Sequence, residues 1–227
     1  MKNKLPSGIK AALVDMDGVL YDSMPFHARS WHKLFTDLGV TTSNPDEYYL
    51  YEGMKGSDTI GMILQRELHR ATTEEERNEI YSRKAELFRH CGDAPPMPGA
   101  DMMLQGLRKH GLDTILVTGS AQGSLLDGLD RDYPGFFPKD KRVTALDVKN
   151  GKPHPEPYLK GLEKAGVSAG EAIVVENAPL GVRSAKAAGC FTIAVTTGPV
   201  PRKAFEDEGA DLIFPDMISF AKWLHSI

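Results

Sequence analysis

The sequence predicts an α/β protein: a doubly wound, Rossmann-like core built on a parallel sheet, with a small α-helical unit inserted near its start. Three observations carry this. Short, nearly continuous apolar and β-branched runs recur along the chain, without the alternation of strands wetted on one face. Helical patterns that stop at glycine separate them. Between Ser23 and Pro96 no such run occurs, and amphipathic helical stripes take its place.

Taken in order, Ile9–Met16 reads as the first strand. Phe26, Trp31, Leu34, Phe35 and Leu38 then form one helical stripe. Thr59–Leu68 forms a second and Glu74–Phe88 a third, the last with acidic residues at its start, where the helix dipole favours them. The run Ala94-Pro95-Pro96-Met97-Pro98-Gly99 reads as a returning linker. Asp101–Lys109 is helical and stops at Gly111, before the strand Leu112–Val117. Pro155–Ala165 is helical up to Gly166, then Ala172–Val175 is a strand. Ala178–Ala188 is helical up to Gly189, and Phe191–Val195 and Asp211–Phe214 are two more strands. The expected division is a core of residues 1–22 plus 97–227 and an inserted helical domain of residues 23–96.

Composition narrows the function. At 227 residues, 41% hydrophobic and 26% charged, the chain suits one ordinary α/β core with a smaller second domain. A net charge of −4 without a basic cluster argues against nucleic-acid and membrane-surface partners. No apolar run approaches the length of a bilayer span. The stretch MKNKLPSGIKAALVDM ends its short apolar run in acid, unlike a secretory leader. Two distant cysteines form no metal-ligand spacing, and a reduced, cytoplasmic setting is expected.

Open α/β sheets bind ligands beyond the carboxyl ends of their strands. After the first strand stand Asp15 and Asp17, two residues apart, which an extended chain would turn to one side. Two close carboxylates call for a cation or a proton, and magnesium is a natural oxygen-seeking choice. A carboxylate can also attack phosphorus. A solvated turn explains the same pair, since Asp and Gly favour turns. After the second strand, Thr118-Gly119-Ser120 combines hydroxyls with the free N–H groups of a helix start, which also suits a plain helix cap. Lys152 is restrained by Gly151 and Pro153 and is a candidate for neutralising a phosphoryl oxygen. Glu176-Asn177 follows the third strand and offers oxygen ligands, although Asn177 before Ala178-Pro179 also reads as a helix cap.

In this order and context the four signals resemble the haloacid-dehalogenase-like phosphotransferases, across essentially the whole chain. DMDGVLYDS, GKPHPEPY and ENAPLGVRSAKAAG are similar to the β-phosphoglucomutase-like subgroup, whose mobile cap the helical insert resembles. The resemblance implies that Asp15 is the nucleophile and Asp17 the general acid and base. It implies that Thr118 and Lys152 hold phosphoryl oxygens, and that Mg2+ is bound by Asp15, the Asp17 carbonyl and the Glu176–Asn177 pair. Asn177 stands where the family often has Asp, which removes one negative charge. Gly119, Ser120, His27 and Lys84 are candidate substrate-side residues; His27 also matches a subgroup position that would serve the hinge or orient Asp17, and Ser120 and Gln122 begin the next helix, where either would touch substrate or simply cap it. A monomer acting on a small phosphorylated substrate is expected.

The cap departs from the subgroup. Its sugar-phosphate mutases carry Lys-Gly-x-x-Arg-x-x-Ser, whose cations clamp a distal phosphate. Here the stretch is Glu52-Gly53-Met54-Lys55-Gly56-Ser57-Asp58-Thr59. Glu52 and Gly56 replace the two cations, and each change is worth roughly 1–4 kcal/mol in partly screened surroundings. Lys84 still matches a family lysine, and Lys55 offers partial compensation. A cap carboxylate that reaches the metal on closure suits a small, highly charged substrate. The segment, with ENAPLG, resembles an inorganic pyrophosphatase branch of the subgroup. The expected function is therefore magnesium-dependent hydrolysis of pyrophosphate through an aspartyl-phosphate, with Glu52 added to the metal set. The alternatives are a β-phosphoglucomutase or other sugar-phosphate phosphatase, and a non-catalytic phosphate-binding protein.

Overall fold

A computed structural model describes residues 4–120 and 123–227 of the chain; Gln122 lies outside the described residues. Six strands form one sheet: β1 (Ala11–Val14), β2 (Asp113–Val117), β3 (Arg142–Val143), β4 (Ala172–Glu176), β5 (Phe191–Val195) and β6 (Leu212–Phe214). All pairings are parallel, in the order β3-β2-β1-β4-β5-β6. The helices are α1 (Met24–Asp37), α2 (Gly56–Leu68), α3 (Glu74–Arg89), α4 (Ala100–Lys109), α5 (Gly123–Asp132), α6 (Glu156–Ala165), α7 (Pro179–Ala187), α8 (Arg202–Asp207) and α9 (Met217–Ser226).

The apolar runs are buried on both faces, which is why they show no alternation. Ala12 and Val14 of β1 join a cluster with Leu104, Leu107, Phe220 and Leu224 from α4 and α9. Ala11 and Leu13 point the other way, to Ile115, Val117, Tyr158 and Leu162. Gly161 lets α6 lie close on that face, since a Cβ there would stand 2.2 Å from Leu13 Cδ2. Helices α1, α2 and α3 gather a separate core around Trp31, Leu34, Phe35, Ile60, Ile63, Leu64 and Ile80. Thr73 caps α3 by accepting from Glu76 N–H, and three glutamates fill the first turn.

The structure adds β3, a two-residue strand with too little sequence to carry a periodic signal. It is held by pairing with Leu116 and Val117 of β2. β1 is shorter than the apolar run that predicts it, because pairing ends at Val14. Among the described residues no helix is long and apolar enough to cross a membrane.

Register sets the site. Val14 pairs with Leu116 on one side and Val175 on the other. The carboxyl ends of the three central strands are thereby level, and Asp15, Thr118 and Glu176 come together at the edge where ligands bind in such sheets. Main-chain bonds extend this order past the strands, from Asp15 N to Val175 O (3.1 Å) and from Thr118 N to Val143 O (2.9 Å).

Candidate active site

Asp15 lies one residue past β1 and is 2% exposed. Its Oδ1 accepts from Lys152 Nζ at 2.6 Å. Lys152 also donates to Glu176 Oε1 at 2.6 Å and to the Val117 carbonyl at 3.2 Å, with its ammonium 5.1 Å from the centre of the Tyr158 ring. Burial pushes the Asp15 carboxyl up, to about 8, against the pull of Lys152 and with repulsion from Glu176 and Asp17 adding to the rise. Burial alone would lower Lys152; its two carboxylate partners hold the ammonium above its ordinary value.

The placement of Glu176 corrects its expected role as a metal ligand. Oε1 accepts from Lys152 and from Tyr158 Oη (2.6 Å), and Oε2 accepts from the main-chain N–H groups of Asn177 (3.0 Å) and Ala178 (3.1 Å). Both oxygens are occupied, so Glu176 orients Lys152 and ties the β4–α7 turn. Gly181 makes room for it: a Cβ there would stand 1.9 Å from Glu176 Oε1. Asn177 is not the cap of α7 either. The N-cap is Ala178, with no side-chain cap bond.

Asp17 and Asp15 repel each other yet turn to different partners. Asp17 is fully buried, and its Oδ1 accepts from Ser23 Oγ at 2.5 Å and meets His27 Nε2 at 2.9 Å. Lys84 Nζ stands 2.5 Å from His27 Nδ1. An ammonium only donates, so Nδ1 is the acceptor and Nε2 carries the hydrogen bonded to Asp17. Burial would raise Asp17; the bonds from His27 and Ser23 and the charge of Lys84 outweigh it and hold the carboxyl below its ordinary value. Burial likewise lowers His27, and it lowers Lys84 to about 8. His27 and Lys84 line the cavity above, as expected of substrate-side residues, but their nitrogens serve Asp17.

Thr118 is buried at the end of β2 and accepts from Ser120 N–H at 3.0 Å, which leaves its own hydroxyl hydrogen for a ligand. Gly119 and Ser120 line the cavity with His27, Glu52, Tyr81 and Lys84. Glu52 ends the 3₁₀ turn Pro45–Tyr51 and is half-buried over the carboxylates. Burial first, then Asp17 and Asp15, push its carboxyl up to about 8. Gly56, in place of the clamp arginine, is packed against Tyr81. A Cβ at Gly56 would stand 2.0 Å from Tyr81 Cε2, so the ring leaves no room for a side chain at this position. Sequence reading missed Tyr81, whose one signal was its place a helical turn before Lys84. Lys55 does not compensate for the lost clamp, because its ammonium bonds to carbonyls of the core instead.

Two buried side-chain oxygens, Asp17 Oδ2 and Asn177 Oδ1, have no partner among the described residues. Asn177 reaches this place only because Gly18 has no side chain: a Cβ there would stand 2.0 Å from Asn177 Nδ2. Among the described residues no group of three or more His, Cys, Asp or Glu forms a metal cluster. A cation here would draw on amide and carbonyl oxygens as well as carboxylates, which suits a hard ion such as magnesium.

Comparison with known proteins agrees with this geometry. The family model for haloacid dehalogenase-like hydrolases matches residues 9–189. Hexitol phosphatase A of Escherichia coli (strain K12) is 32% identical over 188 residues, 82% of this chain and 82% of that protein. A protein of Clostridium perfringens named "Putative pyrophosphatase PpaX" is 27% identical over 211 residues, 89% of this chain and 91% of that one. A solved structure described as "Putative beta-phosphoglucomutase from Bacteroides vulgatus" superposes with a TM-score of 0.90 at 48% identity, covering 96% of this chain and 89% of that one. With the family model spanning most of its length, this chain belongs to the haloacid dehalogenase-like hydrolases and is an enzyme acting on phosphate esters.

Proposed function

We propose that the chain is a magnesium-dependent phosphohydrolase whose preferred substrate is inorganic pyrophosphate. The observation that carries this reading is the carboxyl of Glu52, held over Asp15 and Asp17 where the mutases have a lysine, with the Tyr81 ring leaving no room for a side chain at Gly56. The cleft under the cap is lined by a carboxyl where a sugar phosphate's distal phosphate would need a cation.

The site residues take complementary parts. An Asp15 carboxylate oxygen attacks phosphorus and forms the aspartyl-phosphate as the bond to the leaving oxygen breaks. Asp17, ionised in the free site, takes up a proton carried in by the protonated substrate, passes it to that oxygen, and then takes one from the water that hydrolyses the acyl phosphate and frees Asp15. Lys152 and the Thr118 hydroxyl hold the phosphoryl oxygens while charge builds on them. His27, steadied by Lys84, sets the orientation of Asp17. Asp15, the Asp17 carbonyl, Asn177 and, with the cap closed, Glu52 would hold Mg2+. When bound, that ion neutralises the facing carboxylates and the phosphoryl oxygens.

A second reading, a sugar-phosphate phosphatase, is favoured by the similarity to hexitol phosphatase A. Phosphate release with Mg2+ from pyrophosphate, a hexose phosphate and a hexitol phosphate, measured side by side, separates the two. Pyrophosphate is expected to lead. Glu52→Gln is expected to raise the Mg2+ requirement about 10- to 100-fold, the usual cost of disturbing a metal's surroundings. A faster hexitol phosphate, with Glu52→Gln unchanged, would give the second reading the site.

A further inference from the structure

The ammonium of Lys55 does not serve the catalytic edge. It crosses from the N-cap of α2 to the core and donates to the main-chain carbonyls of Val148 (3.2 Å) and Lys149 (3.3 Å). The receiving loop is held in shape from behind. Glu156, at the start of α6, accepts from Lys149 N–H (2.7 Å), Asn150 N–H (2.9 Å) and Asn150 Nδ2 (2.9 Å), so the loop's donors turn to Glu156 and its carbonyls are left for the cap. The next residue, Gly151, is bare where Lys55 passes: a Cβ there would stand 2.7 Å from Lys55 Cγ and 2.9 Å from its main-chain nitrogen.

Beyond Gly151 comes Lys152, and the cap touches it too. A Cβ on Gly53 would stand 2.8 Å from Lys152 Cδ, and one on Gly119 would stand 2.5 Å from the Gly53 carbonyl oxygen. The run Glu52 to Lys55 is thus laid on the core in register. Glu52 faces the carboxylates, Gly53 rests on the Lys152 stem, and Lys55 engages the loop that leads into Lys152.

We propose that Lys55 is a positioning residue: its charge-assisted tie to the 148–149 carbonyls holds the cap closed, so that Glu52 and Lys152 stand together over the reacting phosphoryl group. The tie is geometric: two charge-assisted bonds from Lys55, with Gly53 resting on the Lys152 stem, fix the cap segment on the core from outside the site and add no charge to it. The inference rests on the phosphatase activity of the family and not on pyrophosphate being the substrate.

The test is Lys55→Met, which keeps the stem over Gly151 and removes the donor, with Lys55→Arg beside it. Rates are measured on pyrophosphate and on a hexitol phosphate, the faster serving as reporter, so a failure of the pyrophosphate reading leaves this test standing. For Lys55→Met we expect kcat/KM to fall about tenfold through KM, with kcat kept or raised because product release needs the cap to open. Lys55→Arg, which can still donate to both carbonyls, is expected to recover most of the loss. Small-angle scattering should show a larger radius of gyration for Lys55→Met without ligand, converging on wild type when orthovanadate and Mg2+ are added. An unchanged KM in Lys55→Met, a loss confined to kcat, or an Arg variant as impaired as Met would overturn the proposal.

Discussion

At the scale of single residues, Tyr158 shows how far the catalytic edge depends on groups behind it. Its hydroxyl is fully buried, donates to Glu176 Oε1, and helps fix the carboxylate that orients Lys152. Burial, with the nearby carboxylates of Glu176 and Asp15, holds the phenol well above its ordinary value, so it stays a donor throughout the working range. Tyr158→Phe is expected to cost about 2 kcal/mol of stability, the range for a hydrogen bond to a charged group, and to lower kcat several-fold with the fold intact. Chemical denaturation and steady-state rates check this; a variant as stable and as fast as wild type would show that Lys152 alone fixes Glu176. The tyrosine was visible in GKPHPEPY, but its role was not, because its partner lies on another strand end.

Elements carry the next set of constraints. The 148–152 loop has no regular structure and depends on Glu156, whose carboxyl is held down to about 2 by the N–H groups of Lys149 and Asn150. A depressed carboxyl pKa contributes stability above the unfolded value, and that contribution is lost as pH falls through the folded one. Thermal melts between pH 5 and 2 are therefore expected to show a steeper acid decline for wild type than for Glu156→Gln. At pH 7 the variant should melt lower. Equal slopes would remove Glu156 from the loop's support. Helix and strand positions at this scale were legible because propensity and burial pattern are local: the glycine stops after α4, α6 and α7 and the apolar runs of β1, β2, β4 and β5 stand near where the pattern put them. β3 was not legible, since its two residues owe their strand state to β2.

On the scale of the whole molecule, parallel register and the position of the cap assemble a site from segments more than a hundred residues apart. Asp15, Asp17, Glu176 and Glu52 crowd around two buried lysines, Lys152 and Lys84, and Asp17 Oδ2 and Asn177 Oδ1 are buried there with no partner among the described residues. Mg2+ binding only the folded state would stabilise it by about 2.7 kcal/mol at a hundredfold excess over its Kd. A chelator is expected to abolish turnover and Mg2+ to restore it. Added Mg2+ should raise the melting temperature of wild type but not of Asp15→Asn. A melting temperature indifferent to Mg2+ in wild type would remove the ion from the folded site.

By itself the sequence determined the sheet's strands, the helical insert and the chemistry of the strand ends, because burial on both faces, glycine stops and the pairing of carboxylates are written in adjacent residues. Asp15, Thr118 and Lys152 were found in this way, and the structure brings them to one edge. Tertiary structure alone decided the rest. It turned Glu176 from a metal ligand into the partner of Lys152, and it chose, among the readings of His27, the one beside Asp17, with Lys84 behind it. It placed Tyr81 against Gly56 and sent Lys55 to the core. Each of these depends on which distant group shares a buried space, and neither composition nor spacing records that.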